Sequence, residues 1–183
     1  MGSSRTTATG LVNFLNQAAA QGVREALRSL NLDTLTGQPI EQVFAGLADY
    51  ICPPGGSIDE GIARDAFIET IADLADAGIT DIDQLTGDQI QTVFELYATH
   101  AIEARICNDV ATSIVAMPAN VRAAERVQEQ LRDFIRRSVS DAVAASPDRI
   151  ATLTPDRVND FVGAIYQSSF EFIQVLADAE ADQ

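Results

Sequence analysis

Apolar residues recur along this chain at three- and four-residue spacing, and no segment shows the period-two alternation of a half-buried strand, so the expected fold class is all-α. Leu11, Leu15, Ala19, Val23, Ala26, Leu27 and Leu30 predict a first helix over about 10–30, with Asn13, Gln17, Arg24 and Arg28 on its wet side. A second is expected over about 38–51, stopped by Cys52-Pro53-Pro54-Gly55-Gly56, whose prolines lack amide donors. Ser57 then caps a third, which runs to about Ala77 and ends at Gly78. The helix over about 87–116 carries Ile102, Ile106, Cys107, Val110, Ala111, Ile114 and Val115 with little polar face left, and is expected at the centre. Met117-Pro118 separates it from a helix over about 119–145, and Ser146-Pro147-Asp148 separates that from a last one over about 155–179. The last helix should turn Phe161, Ile165, Phe172, Val175 and Leu176 inward. The architecture expected is a single bundle of about six helices in one domain over 1–183, with flexible ends at 1–8 and 180–183.

One helix-start pattern recurs three times: Leu35-Thr36-Gly37-Gln38-Pro39-Ile40, Leu85-Thr86-Gly87-Asp88-Gln89-Ile90 and Leu153-Thr154-Pro155-Asp156-Arg157-Val158. The Thr hydroxyl accepts from a free amide of the first turn, and Gln89 can answer Thr86 in a capping box. The preceding Leu can staple against Ile40, Ile90 or Val158. Separations of about 50 and 68 residues, with no likeness elsewhere, mark shared capping chemistry and not a solenoid.

A chain of 183 residues with 46% hydrophobic content can bury a core without disulfide or metal staples. Its 27 acidic and 12 basic residues leave a formal charge of −15, and every basic residue is Arg. Such a surface repels phosphate backbones, which argues against direct nucleic-acid binding. No apolar stretch of spanning length and no signal sequence is present, so neither membrane insertion nor export is expected and the compartment read is the cytoplasm. Cys52, Cys107 and His100 cannot alone complete a tetrahedral zinc site, and no phosphate-loop, dinucleotide or nucleophile-elbow motif occurs. No cofactor and no enzymatic activity are expected.

Glu60 and Arg64 fall within the apolar stripe of the helix after Ser57, formed by Phe67, Ile68, Ile71, Leu74 and Ala75, at the favourable i, i+4 order for an ion pair. They are either a structural pair tied to the proline loop or partner contacts beside it. Asp65, Glu69, Asp73 and Asp76 on the opposite face read as solvated. His100, Glu103 and Cys107 share one face of the central helix and offer the alternative of a metal-dependent enzyme, although a single His falls short of a di-iron pattern. Arg105 and Asp109 read as an ordinary helix pair. Arg122, Arg126, Arg132, Arg136 and Arg137 form the basic patch, interleaved with Glu125, Glu129 and Asp133, and suit protein docking better than nucleic acid. A further alternative, an acidic DNA-mimic inhibitor, would need carboxylates spaced like phosphates.

The stretch from Ala48-Asp49-Tyr50-Ile51-Cys52-Pro53-Pro54-Gly55-Gly56 through Ser57-Ile58-Asp59-Glu60-Gly61-Ile62-Ala63-Arg64-Asp65-Ala66-Phe67-Ile68-Glu69-Thr70 resembles the QatB family of the bacterial Qat anti-phage defence system. The likeness continues at Leu85-Thr86, Val93-Phe94-Glu95, Ile102-Glu103-Ala104-Arg105-Ile106 and Val127-Gln128-Glu129-Gln130-Leu131-Arg132-Asp133-Phe134-Ile135. The resemblance implies a non-enzymatic subunit working beside an ATPase, a TatD-like nuclease and a QueC-like enzyme related to 7-cyano-7-deazaguanine synthases. It implies binding to the QueC-like enzyme and service as its protein substrate, with a deazaguanine group placed on an N-terminal glycine that Gly2 would match. Pro53, Pro54, Glu60 and Arg64 are the expected docking residues, followed by Arg122 and Arg126.

Overall fold

The computed structural model describes residues 2–52, 56–112, 121–145 and 154–181, all of whose regular structure is helical. The expected breaks at Met117-Pro118 and Ser146-Pro147-Asp148, and the loop residues Pro53 and Pro54, lie outside these residues. Seven helices are described: α1 (Gly2–Gln21), α2 (Val23–Ser29), α3 (Ile40–Ile51), α4 (Ile58–Asp76), α5 (Gly87–Thr112), α6 (Val121–Ala145) and α7 (Pro155–Ala181). Short 3-10 turns over Asp33–Leu35 and Ile82–Gln84 lead towards α3 and α5.

The helix expected over 10–30 is two helices. Gly22 has φ 88°, a conformation open to glycine, and the chain doubles back there. Ser29 Oγ consequently donates to Gln17 Oε1 at 3.0 Å, although twelve residues of straight helix would hold them about 18 Å apart. Apolar spacing continues through the break and therefore conceals it. The start is also corrected: residues 2–8, expected as a flexible end, form the first turns of α1, and Ser4, Thr7 and Ala8 are buried. Their small side chains admit close packing, and Gly10 lets Ile51 approach so closely that an added Cβ would lie 2.7 Å from its Cγ2. At the other end of the chain, the helix continues to Ala181.

Helix ends follow local chemistry. Ser57 and Glu60 close a complete capping box at the head of α4. Gly78, at φ 69°, ends it in a Schellman motif, with Ile79 N–H donating to Leu74 O and Gly78 N–H to Ala75 O, both at 3.0 Å. Asn31 closes α2 in the same way at φ 59°. Of the three Leu-Thr starts, the second forms the expected box: Thr86 Oγ1 accepts from Gln89 N–H at 3.2 Å and Gln89 Oε1 from Thr86 N–H at 2.9 Å. Thr154 Oγ1 accepts from Arg157 N–H at 3.4 Å. The first departs from expectation. Thr36 caps nothing, α3 begins at Ile40 after Pro39, and the Ile40 amide donates to Thr80 O at 3.1 Å.

The core is continuous. Phe44 of α3 stacks on Phe67 of α4 with centroids 5.7 Å apart, and Phe67 meets Tyr97 of α5 edge-on at 6.0 Å. Tyr97 is fully buried and donates its hydroxyl to Ser4 O of α1 at 3.1 Å. Central α5 packs against α1, α4, α6 and α7. Phe94 meets Phe161 of α7, and Phe134 of α6 stacks on Phe172 of α7 at 4.2 Å. Val175, expected inside, is exposed, while Val158, Val162 and Ile173 carry the buried face of α7. On α4 the buried stripe is Ala63, Ala66, Phe67, Thr70 and Leu74, which leaves Ile68 half-exposed and moves Glu60 and Arg64 to its edge.

Replacing Thr86 by Ala should lower unfolding free energy by about 1 kcal/mol through loss of the cap. Thr36→Ala should change it by less than about 0.5 kcal/mol, as expected of a side chain without such a role. Urea denaturation followed by circular dichroism measures both.

Candidate functional site

Three regions gather polar groups. The first is the α3–α4 corner. Glu60 Oε2 accepts from the Gly56 and Ser57 amides, each at 2.8 Å, and hydrogen bonds from the Ser57 and Gly56 backbone hold its carboxyl below the usual range. Arg64 reaches back to Asp49 of α3. The expected Glu60–Arg64 pair is thus replaced by two separate attachments: Glu60 organises the head of α4, and Arg64 ties α4 to α3. The capping demand of Ser57 takes the carboxylate, because two free amides lie closer than the guanidinium one turn on. Tyr50, which follows Asp49 in α3, is 56% exposed, and Ile58, which follows the Ser57 cap, is 66% exposed.

The second region joins α1, α4, α5 and α7. Arg105 donates to Asp59 Oδ1 at 2.9 Å and to Asp109 Oδ2 at 2.8 Å, so the expected Arg105–Asp109 pair is part of a longer network. Tyr166 donates to Asp109 Oδ2 at 2.5 Å, and the Ser3 amide donates to Asp59 Oδ2 at 2.7 Å. Burial alone would raise the Asp59 pKa, but hydrogen bonding that begins with the Ser3 amide brings it down to about 2. Asp109 is likewise held low against its burial by Tyr166 and Arg105. Gly2 heads α1 here, exposed, where an added Cβ would stand 3.5 Å from Asp59 Oδ2. With Arg5, Arg105 and Tyr166 it lines a cavity of about 230 Å³.

The third region is a groove of about 760 Å³ floored by α5 and walled by α4 and α6. His100, Glu103 and Cys107 line it together, as their spacing requires, but their polar groups are drawn apart. His100 Nε2 lies 2.8 Å from Asp73 of α4, and Glu103 Oε1 accepts from Arg132 of α6 at 2.7 Å. Burial raises the pKa of the Cys107 thiol, and raises that of Cys52 to about 11, which leaves neither as a ready thiolate. Among the described residues no group of three or more His, Cys, Asp and Glu side chains is placed to hold a metal ion. Asp65, Glu69 and Asp73, expected on a solvated face, form the α4 wall. Arg132 and Arg136 reach the opposite wall, whereas Arg122 and Arg126 are exposed nearer the start of α6.

The partners Asp59, Asp73 and Tyr166 escape sequence reading because each bond spans 27 or more residues. Only the i, i+4 member of the second network has a local signal. Among the described residues no helix is long and apolar enough to cross a membrane.

The family model described as Qat anti-phage system associated protein QatB matches residues 1–173, which extends well beyond the stretches that carry the resemblance in sequence. No curated protein and no solved structure matches the chain significantly.

The depressed Asp59 pKa fixes the sign of an acid effect. A carboxyl bound more tightly when ionised stabilises the fold above its ordinary pKa near 3.8, and that contribution disappears as pH falls towards about 2. The urea midpoint of the wild type should therefore drop more steeply between pH 4 and about 2 than that of Asp59→Asn. Parallel slopes in the two proteins would refute the assignment.

Proposed function

This chain belongs to the QatB family of Qat anti-phage system associated proteins, and from that premise we propose that it is a non-enzymatic scaffold subunit of the system, located in the cytoplasm, that binds a QueC-like enzyme. An ATPase and a TatD-like nuclease complete the assembly in this reading. The observation that carries a binding role is the α3–α4 corner. Two large side chains are exposed on its two helices, Tyr50 next to Asp49 in the sequence of α3 and Ile58 at the first position of α4. Exposed aromatic and aliphatic side chains with an Arg on the same pair of helices are the composition of a protein contact, and the capping box fixes the backbone at the head of α4 that carries Ile58.

The chemistry of the groove supports a non-enzymatic part. Its imidazole and its central carboxylate are each engaged by a neighbouring helix, and its thiol is kept protonated. Gly2, exposed at the head of α1 and bordered by Arg105 and Tyr166, is the proposed site at which the QueC-like enzyme attaches its deazaguanine group, once hydrolysis of the Met1–Gly2 peptide bond has freed the glycine amine. Asp59 and Ser3 hold the first turn of α1 in place, so modification there requires that turn to open or the partner to approach along the small cavity.

Co-purification of the chain with the QueC-like enzyme tests the reading. Wild type should form a stable complex, and Tyr50→Ala with Ile58→Ala should weaken it at least tenfold while far-UV circular dichroism remains unchanged. Arg64→Ala should weaken it less, because its partner is within the chain. Intact mass should show an adduct on the peptide containing Gly2. Failure of the folded wild type to bind would overturn the subunit reading, and an adduct elsewhere would overturn the role of Gly2.

A further inference from the structure

The groove over α5 has an organisation that the α3–α4 corner does not account for. Helices α4 and α6 both pack on α5, and between them they leave a face of the central helix uncovered. From Thr92 to Cys107 that face runs about 22 Å, or four helical turns. Leu96, Thr99 and Ala104, each only partly buried, supply its small and apolar floor groups, interleaved with Glu95, His100 and Glu103, whose polar atoms are engaged by Gln91, Asp73 and Arg132.

Its two walls differ in charge. On α6, Arg132 is matched by Glu103 and Arg136 by Asp133. On α4, Asp73 is engaged by His100, but Asp65 and Glu69 are exposed and have neither an ion-pair nor a hydrogen-bond partner among the described residues. Asp65, Glu69 and Asp73 repeat at i, i+4, so the negative edge advances about 6 Å at each step. A second helix lying along α5 with cations at i, i+4 would advance by the same step.

We propose that this groove is a second docking surface, which takes one amphipathic helix of a partner protein. Its apolar face covers Leu96 and Ala104, and its Lys or Arg side chains, repeated at i, i+4, meet Asp65 and Glu69. This is helix-in-groove recognition with charge complementarity on one wall. The inference rests on the scaffold reading only in assigning the helix to a partner, and it gives the chain two surfaces with which to bridge two proteins. Bulk attraction to a chain of charge −15 would not distinguish the register of the cations, whereas the groove does.

Two synthetic peptides of about four turns test it: one amphipathic, with Lys at three successive i, i+4 positions along one edge, and one with the same composition scrambled. Binding is measured by fluorescence anisotropy, with Cys107 alkylation by iodoacetamide, at a pH high enough to ionise part of the thiol, as a footprint. Cys107 is exposed in the groove and Cys52 is buried. The patterned peptide should bind at least tenfold more tightly than the scrambled one and slow Cys107 alkylation at least tenfold. The double variant Asp65→Lys/Glu69→Lys should lose that preference, and Asp141→Lys/Asp156→Lys, exposed sites outside the groove, should keep it. Equal affinity for both peptides, preference that survives the groove substitutions, or unprotected Cys107 would overturn the proposal. The QueC-like enzyme takes no part, so failure here leaves the subunit reading standing, and failure of that co-purification leaves the groove intact.

Discussion

Phe44, Phe67 and Tyr97 form a line of rings that crosses α3, α4 and α5, and the Tyr97 hydroxyl extends it to the backbone of α1. Aromatic side chains suit this position because each buries a large area and has a preferred geometry towards its neighbour, which gives a core a single arrangement. Burial drives the Tyr97 pKa far above its ordinary range, so the hydroxyl stays a neutral donor and its bond to Ser4 O endures across physiological pH. Four helices are fixed in relation to one another through three residues. The α3–α4 corner and the groove both include α4, the helix that supplies the middle ring of that line.

The polar network at Arg105 complements this core. A half-buried guanidinium with carboxylates on either side exchanges solvation for two charge-assisted bonds, and each carboxylate has a further donor in Ser3 or Tyr166. The network touches four helices, as the ring line does, but near the surface and with directional bonds. The two systems meet in the first turn of α1, which Asp59 holds at the Ser3 amide and Tyr97 at the Ser4 carbonyl.

The sequence made legible whatever depends on nearest neighbours: the apolar period that places α3 to α7, the Ser57 and Thr86 caps, Gly78 as a stop and the Arg105–Asp109 pair. Gly22 was not legible as a break, since the apolar register passes through it and only the backbone dihedral changes. Thr36 shares its pattern with Thr86 but lacks the Gln three residues on, and Pro39 has no amide to offer a cap. Glu60 and Arg64 were recognised as unusual in position, yet their partners were missed, because a capping amide competes better for Glu60 and Asp49 approaches Arg64 from another helix. The acidic edge of α4 is solvated at Asp65, Glu69 and Asp76, as its helix projection indicates, but a projection does not show that α5 and α6 rise beside it to make a groove.

Helix α1 carries a mechanical asymmetry. One end turns at Gly22, the other is pinned at Asp59, and between them the buried surface of its first turns is built from Ser4, Thr7 and Ala8. The hydroxyls of Ser4 and Thr9 and Nε of Arg5 are buried without a hydrogen-bond partner among the described residues. Lifting those turns would expose little hydrocarbon and would return these groups to water, which offsets part of the lost contact. The remaining apolar grip of α1 begins at Leu11, one turn further in. Peeling the head of α1 away would therefore break the Asp59 and Tyr97 attachments together, and Gly2 is the residue such a motion would carry furthest.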